Sequence, residues 1–149
     1  MVTATISGNF TTDTRTVQVT LQQVSPGCGI GTNSLNFGSY TGVVLNASTT
    51  IQVACTSGTI YNVGLSVGTA TGATVTTRKM TGPAGALLAY NLFSNAARTT
   101  NWGYTIGMDT VAGSGNNGIQ NLTVYGQIPA GQSVGMGSYA DTIIATLTY

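Results

Sequence analysis

Apolar residues recur at every second position through much of this chain, the period that lays one apolar row along one face of a β-strand. In Thr16–Val24 the row is Val17, Val19 and Leu21, set between Thr and Gln. Val2–Phe10 repeats the pattern with Val2, Ala4, Ile6, Gly8 and Phe10, and Thr11–Thr14 separates the two stretches. Ser25-Pro26-Gly27 ends the second, since proline offers no ladder donor and glycine allows a sharp bend. Further on, Leu35 and Phe37 share a face, as do Ile51, Val53 and Cys55 of Thr49–Thr56. Ser57-Gly58 then leads into Tyr61–Val67, whose odd positions are all apolar, so these two segments are expected to form a hairpin. A short strand is expected from Val75 toward Met80.

The only contest with helix is at Pro83–Asn95, where Ala and Leu favour a helix. Leu88, Tyr90 and Leu92 have strand spacing and no good N-cap precedes Pro83, so a strand is predicted. Trp102–Ile106 reads as a further short strand, Val111–Gly118 as a loop, and Asn121–Ile128 and Thr142–Tyr149 as the last strands. Turn signals every 8–12 residues or so, with no convincing helix, predict an all-β sandwich in one domain.

Composition changes this picture through charge. Only 5% of residues are charged, against about 25% in ordinary domains, and the net charge is +1. The charges are Asp13, Asp109, Asp141, Arg15, Arg78, Lys79 and Arg98, too few and too scattered to attract nucleic acid or an anionic membrane. A surface of Thr, Ser, Asn, Gln and Gly suits a chain packed against other copies or working outside the cell, or a neutral monomer. No apolar run is long enough to span a membrane and no secretory leader opens the chain, so any such leader is expected to have been removed already.

Catalysis is argued against by what is missing. With no His and no Glu, the familiar Ser/His/Asp and Cys/His arrangements are excluded, and a metal cage would need carboxylates gathered from three distant loops. Neither a cofactor nor a metal is expected. Gly113–Gly118 matches G-x-G-x-x-G, but a strand pattern follows it where a dinucleotide site needs a helix. Trp102 and Tyr104 suit either a sugar-stacking platform or ordinary packing. Cys28 and Cys55 leave one possible disulfide or two free thiols, and a bridge would imply an oxidising compartment.

Several segments, in order, resemble one family. Cys28, then Leu35-Asn36-Phe37-Gly38-Ser39-Tyr40 and Ile51-Gln52-Val53-Ala54-Cys55-Thr56, is similar to the start of the spore coat protein U domain. That family includes subunits of archaic, Csu-type chaperone–usher pili. The likeness runs on through Arg78-Lys79-Met80, Leu88–Phe93, Ala97-Arg98-Thr99 and Trp102-Gly103. It ends with Val124–Gln132 and Gly137–Thr142, so that most of residues 16–149 are covered.

The resemblance implies an immunoglobulin-like sandwich that lacks its last strand and is completed by an N-terminal donor strand from a neighbouring subunit. It also implies a Cys28–Cys55 disulfide, a periplasmic chaperone and an outer-membrane usher as assembly partners, and a homopolymer on the cell surface. On this reading residues 1–24 are the donor extension and residues 25–149 the pilin domain. The donor row is Val17, Val19, Leu21 and Val24, with Val2, Ala4, Ile6 and Phe10 as a second donor or an inter-subunit contact. The acceptor groove runs along the last strand at Ile143, Ala145, Leu147 and Tyr149, after which no further strand is expected. Met1–Thr14 is extra relative to the family, so the two donor assignments both stand, and an N-terminus folded back on its own domain is the third arrangement. The function expected is a structural pilin for attachment and biofilm formation. Its rivals are a ligand-binding adhesin domain, reading a surface through the Trp102 or Gly113–Gly118 loop, and a spore or cyst coat component.

Overall fold

The computed structural model describes residues 2–6, as backbone, and residues 27–149. The strands are β1 (Val2–Ile6), β2 (Cys28–Thr32), β3 (Leu45–Cys55), β4 (Ile60–Leu65), β5 (Arg78–Thr81), β6 (Leu87–Phe93), β7 (Val111–Ser114), β8 (Ile119–Ile128) and β9 (Ile143–Thr148). They form two antiparallel sheets, one ordered β1-β9-β4-β7 and the other β2-β3-β8-β6-β5. The predicted all-β sandwich is what the chain forms. The inner faces supply the core, with Ile51 and Val53 of β3 and Val124 of β8 in one sheet and Val63, Leu65, Ala145 and Leu147 in the other. Among the described residues no helix is long and apolar enough to cross a membrane.

Four local expectations need correction. β3 and β4 are not a hairpin: β3 pairs with β2 and β8, whereas β4 pairs with β7 and β9. The turn between them, closed by Thr59 N–H donating to the Thr56 carbonyl, carries the chain from one sheet to the other. Their two apolar rows therefore meet across the core instead of lying side by side. Val111–Ser114 is a strand, with Gly113 where its partner needs room: a Cβ there would fall 2.4 Å from the Tyr61 ring. The first glycine of the motif that imitates a phosphate loop thus serves sheet packing, and β8 follows the motif. Pro83–Gly85 is a short 3-10 turn that precedes the β6 strand. Trp102–Ile106 is a loop whose first residue is core: the Trp102 indole is buried and donates from Nε1 to the Val63 carbonyl at 2.8 Å. The alternation of Leu35 and Phe37 does mark burial, but in an irregular segment lying on Gly126, where a Cβ would sit 2.6 Å from the Phe37 ring.

Candidate functional site

β9 lies between β4 and β1. Its residues alternate, with Ile143, Ala145 and Leu147 buried and Ile144 exposed. On one side Ala145 pairs with Leu65 and Leu147 with Val63, all four fully buried. On the other side the register sets Val2 opposite Leu147, Ala4 opposite Ala145 and Ile6 opposite Ile143. Directly opposed residues of an antiparallel pair lie on the same face of the sheet. A large–small–large sequence in β1 thus meets a large–small–large sequence in β9. A slip of one residue would set Thr3 and Thr5 against the buried row, so this pairing is well specified. β1 also runs close to β2, the first strand of the opposite sheet, and so stands where the two sheets meet.

The strand beside β9 is therefore Val2–Ile6, and it belongs to the same chain. Val17, Val19, Leu21, Val24 and Phe10 lie outside the described residues. Tyr149 follows the end of β9, with its ring against Gly27, where a Cβ would come 2.5 Å from Cε2. Cys28 and Cys55 are bonded to each other and lie opposite one another at the start of β2 and the end of β3. The disulfide closes a loop of 27 residues, and such closures stabilise by roughly 3 kcal/mol in the chain-entropy account.

The entry to β9 is fixed by polar groups that the pattern of apolar residues did not reveal. Asp141 is buried, and its Oδ1 accepts from the backbone N–H and the hydroxyl of Thr69 and from the Thr142 N–H. Its Oδ2 accepts from the Tyr90 hydroxyl at 2.7 Å. Gly68 admits this carboxylate, since a Cβ there would meet Oδ2 at 2.1 Å. Nearby, Arg78 is 0% exposed. Its guanidinium donates to four carbonyls: Ser66 from Nε, Val75 from Nη1, and Leu65 and Trp102 from Nη2. One side chain thereby ties the end of β4 to the start of β5 and to the Trp102 loop. Ser66 completes the join, its hydroxyl accepting from the Ile144 N–H and its own N–H donating to the Ile144 carbonyl. In a chain with so few charges, an Arg inside a predicted strand, next to Lys79, and a lone Asp just before the last predicted strand were the available sequence signal.

These groups make stability depend on alkaline pH. Burial, then the Asp141 charge and hydrogen bond, push the Tyr90 phenol well above its ordinary 10.0. The folded state thus holds this proton more tightly than the unfolded state, so the stability it confers is intact below about pH 10 and is lost as pH rises further. Burial raises Tyr61 as well, with the same sign. Arg78 works in the opposite sense: burial lowers it to about 10, against the raising influence of Tyr90, Asp141 and Asp109. Tyr90→Phe isolates one contribution. It is expected to cost about 1–2 kcal/mol at neutral pH, and to lose less stability than the parent between about pH 9 and 11, as read by urea titrations at each pH. Parallel curves for the two proteins would contradict the assignment.

The flank of β9 is occupied by a strand, and among the described residues no reactive constellation lies beside it. Among the described residues no three His, Cys, Asp or Glu side chains come together. Asp141 is engaged as above, and Asp109 accepts from the Thr105 N–H at 2.7 Å.

The spore coat protein U domain matches residues 13–146, nearly the whole of the described body. The chain belongs to that family. Protein U of Myxococcus xanthus is 34% identical over 138 residues, spanning 84% of this chain and 76% of that protein. Among solved structures, the fold is similar to a chain in the CsuC–CsuE chaperone–tip adhesion subunit pre-assembly complex from archaic chaperone-usher Csu pili of Acinetobacter baumannii. The TM-score is 0.62 at 22% identity, over 82% of this chain and 39% of that one, a likeness of fold. The spore coat protein U match begins at residue 13, so β1 precedes it.

Proposed function

We propose that this member of the spore coat protein U family is a structural subunit of a chaperone–usher pilus, polymerising by strand exchange into a surface fibre for adhesion and biofilm formation. The observation that carries the reading is the register at β9, where a strand from the far N-terminus completes the buried row of the last strand. About 20 residues separate that strand from β2, enough to reach some 70 Å when extended. An element so tethered can sit in its own groove or, with the same contacts, in the groove of a neighbour, which is the geometry of a swap. Passed from copy to copy, the contact does not close on itself and a filament follows. Before assembly the open groove needs a cover, the task of a periplasmic chaperone, and an outer-membrane usher exchanges that cover for the next subunit. The Cys28–Cys55 bond fits such an oxidising route. No catalytic step is assigned to the chain.

The large–small–large pattern favours Val2–Ile6 as the exchanged strand, with Thr16–Val24 as the second candidate, because its row Val17, Val19, Leu21 has no small residue to face Ala145. Cysteine pairs in the full chain test both. Oxidised Ala4→Cys/Ala145→Cys protein is expected to run as a covalent ladder on non-reducing gels. Val19→Cys/Ala145→Cys protein is expected to stay uncrosslinked. A ladder from the second pair alone would transfer the donor role to Thr16–Val24. Cross-linked monomer from the first, with no multimer at any concentration, would refute polymerisation.

A further inference from the structure

The outer face of the β9–β4 sheet carries a cavity of about 530 Å³, roofed on one side by the loop that follows Trp102. Its size is that of a small-molecule site. The loop is built onto the sheet. Gly103 accepts from the Leu65 N–H at 2.7 Å and donates to the Asp109 carbonyl at 2.8 Å. The Tyr104 backbone lies over Gly64, where a Cβ would come 2.9 Å from its Cα. The Trp102 carbonyl is held by Arg78, so the roof is anchored to the buried network at its base.

The lining is uncharged. Tyr104 and Ile106, 58% and 55% exposed, form one wall, and Ile144 forms part of the floor. The polar groups are short and neutral. Asn62 accepts the Thr110 hydroxyl through Oδ1, which leaves its amide nitrogen to donate outward. Ser66 Oγ accepts from the Ile144 and Gly68 N–H groups, which leaves its O–H to donate. Thr146 and Thr148 add two hydroxyls. Asp109, the carboxylate nearest in sequence, is turned onto the Thr105 N–H.

We infer that this cavity is a binding site for a neutral sugar, one face of which stacks on Tyr104 while its hydroxyls bond with Asn62, Ser66, Thr146 and Thr148. An anionic ligand finds no cation in the lining. A peptide strand finds no free backbone ladder, because β4 is already paired on both sides. An apolar ligand would leave the Asn62 and Ser66 donors without partners, a costly arrangement once they are covered. The site stands on the sheet face and does not rest on strand exchange.

The test is a titration of the isotope-labelled full chain, followed residue by residue by NMR, with maltose, lactose and methyl galactoside. Glucuronic acid and cyclohexanol serve as charged and apolar comparators. At least one neutral sugar is expected to shift the resonances of Gly64, Ser66, Tyr104 and Thr146. Tyr104→Ala, at an exposed position, and Thr146→Val, at a half-buried one, are expected to weaken it about tenfold or more while leaving the rest of the spectrum unchanged. No response to any of the three sugars at tens of millimolar would overturn the inference. So would shifts caused only by cyclohexanol or glucuronic acid, or sugar binding that Tyr104→Ala leaves intact. Shifts of these same residues on simple dilution would assign the face to a second copy of the chain, and would overturn it too.

Discussion

Replacing Arg78 with methionine is expected to cost about 4 kcal/mol, because the buried Leu65 and Trp102 carbonyls and the half-buried Ser66 and Val75 carbonyls lose their donor together. Each buried acceptor left unmatched costs on the order of 1–3 kcal/mol, and methionine replaces the volume but none of the bonds. Lysine is expected to fall between, since a single ammonium cannot reproduce a planar fork that reaches Ser66, Val75, Leu65 and Trp102 at once. Urea unfolding with the disulfide intact measures both variants, and an unchanged denaturant slope assigns the loss to the folded state. A loss below about 1 kcal/mol for methionine would mean that the carbonyls find other partners and that the guanidinium is not the tie described.

The second large effect concerns β1. Removing Met1–Ile6 takes away five rungs beside β9 and uncovers one flank of the row Ile143, Ala145 and Leu147. Apolar burial of that extent is worth on the order of 5 kcal/mol. The shortened chain is therefore expected to melt well below the parent and to regain stability when a peptide spanning Val2–Ile6 is added. A shortened chain as stable as the parent would show that another segment takes the place, and Thr16–Val24 remains in it to do so.

Alternation made the sandwich legible. Tyr61, Val63 and Leu65, and likewise Ile143, Ala145 and Leu147, keep strict period two and are buried at every second position. What alternation does not encode is which sheet a strand joins. Thr49–Thr56 and Tyr61–Val67 look like a hairpin because two apolar rows joined by a short turn suit side-by-side and face-to-face packing equally. β7 was hidden for a different reason. Its glycine is there to clear the Tyr61 ring, and composition alone makes such a strand look like a loop. Trp102 misled in the opposite direction, since an aromatic before glycine has the spacing of a strand but anchors a loop through one indole bond.

The buried row Ile143, Ala145 and Leu147 of β9 was legible from its alternation, while the polar setting around Asp141 was not. A single Asp in a polar stretch gives no sign that Thr69, Thr142 and Tyr90 all donate to it. Such convergence depends on the path of the chain between strands, and residues 69 and 141 are brought together only when β9 docks beside β4.

The position of the disulfide has a mechanical consequence. Traction along the segment that leads from β1 enters the folded body at Cys28, the first rung of β2. Unbridged, that load would strip β2 from β3 one rung after another. The sulfur link diverts it directly to Cys55, the terminus of β3, whose ten-rung ladder with β8 bears the tension as a whole.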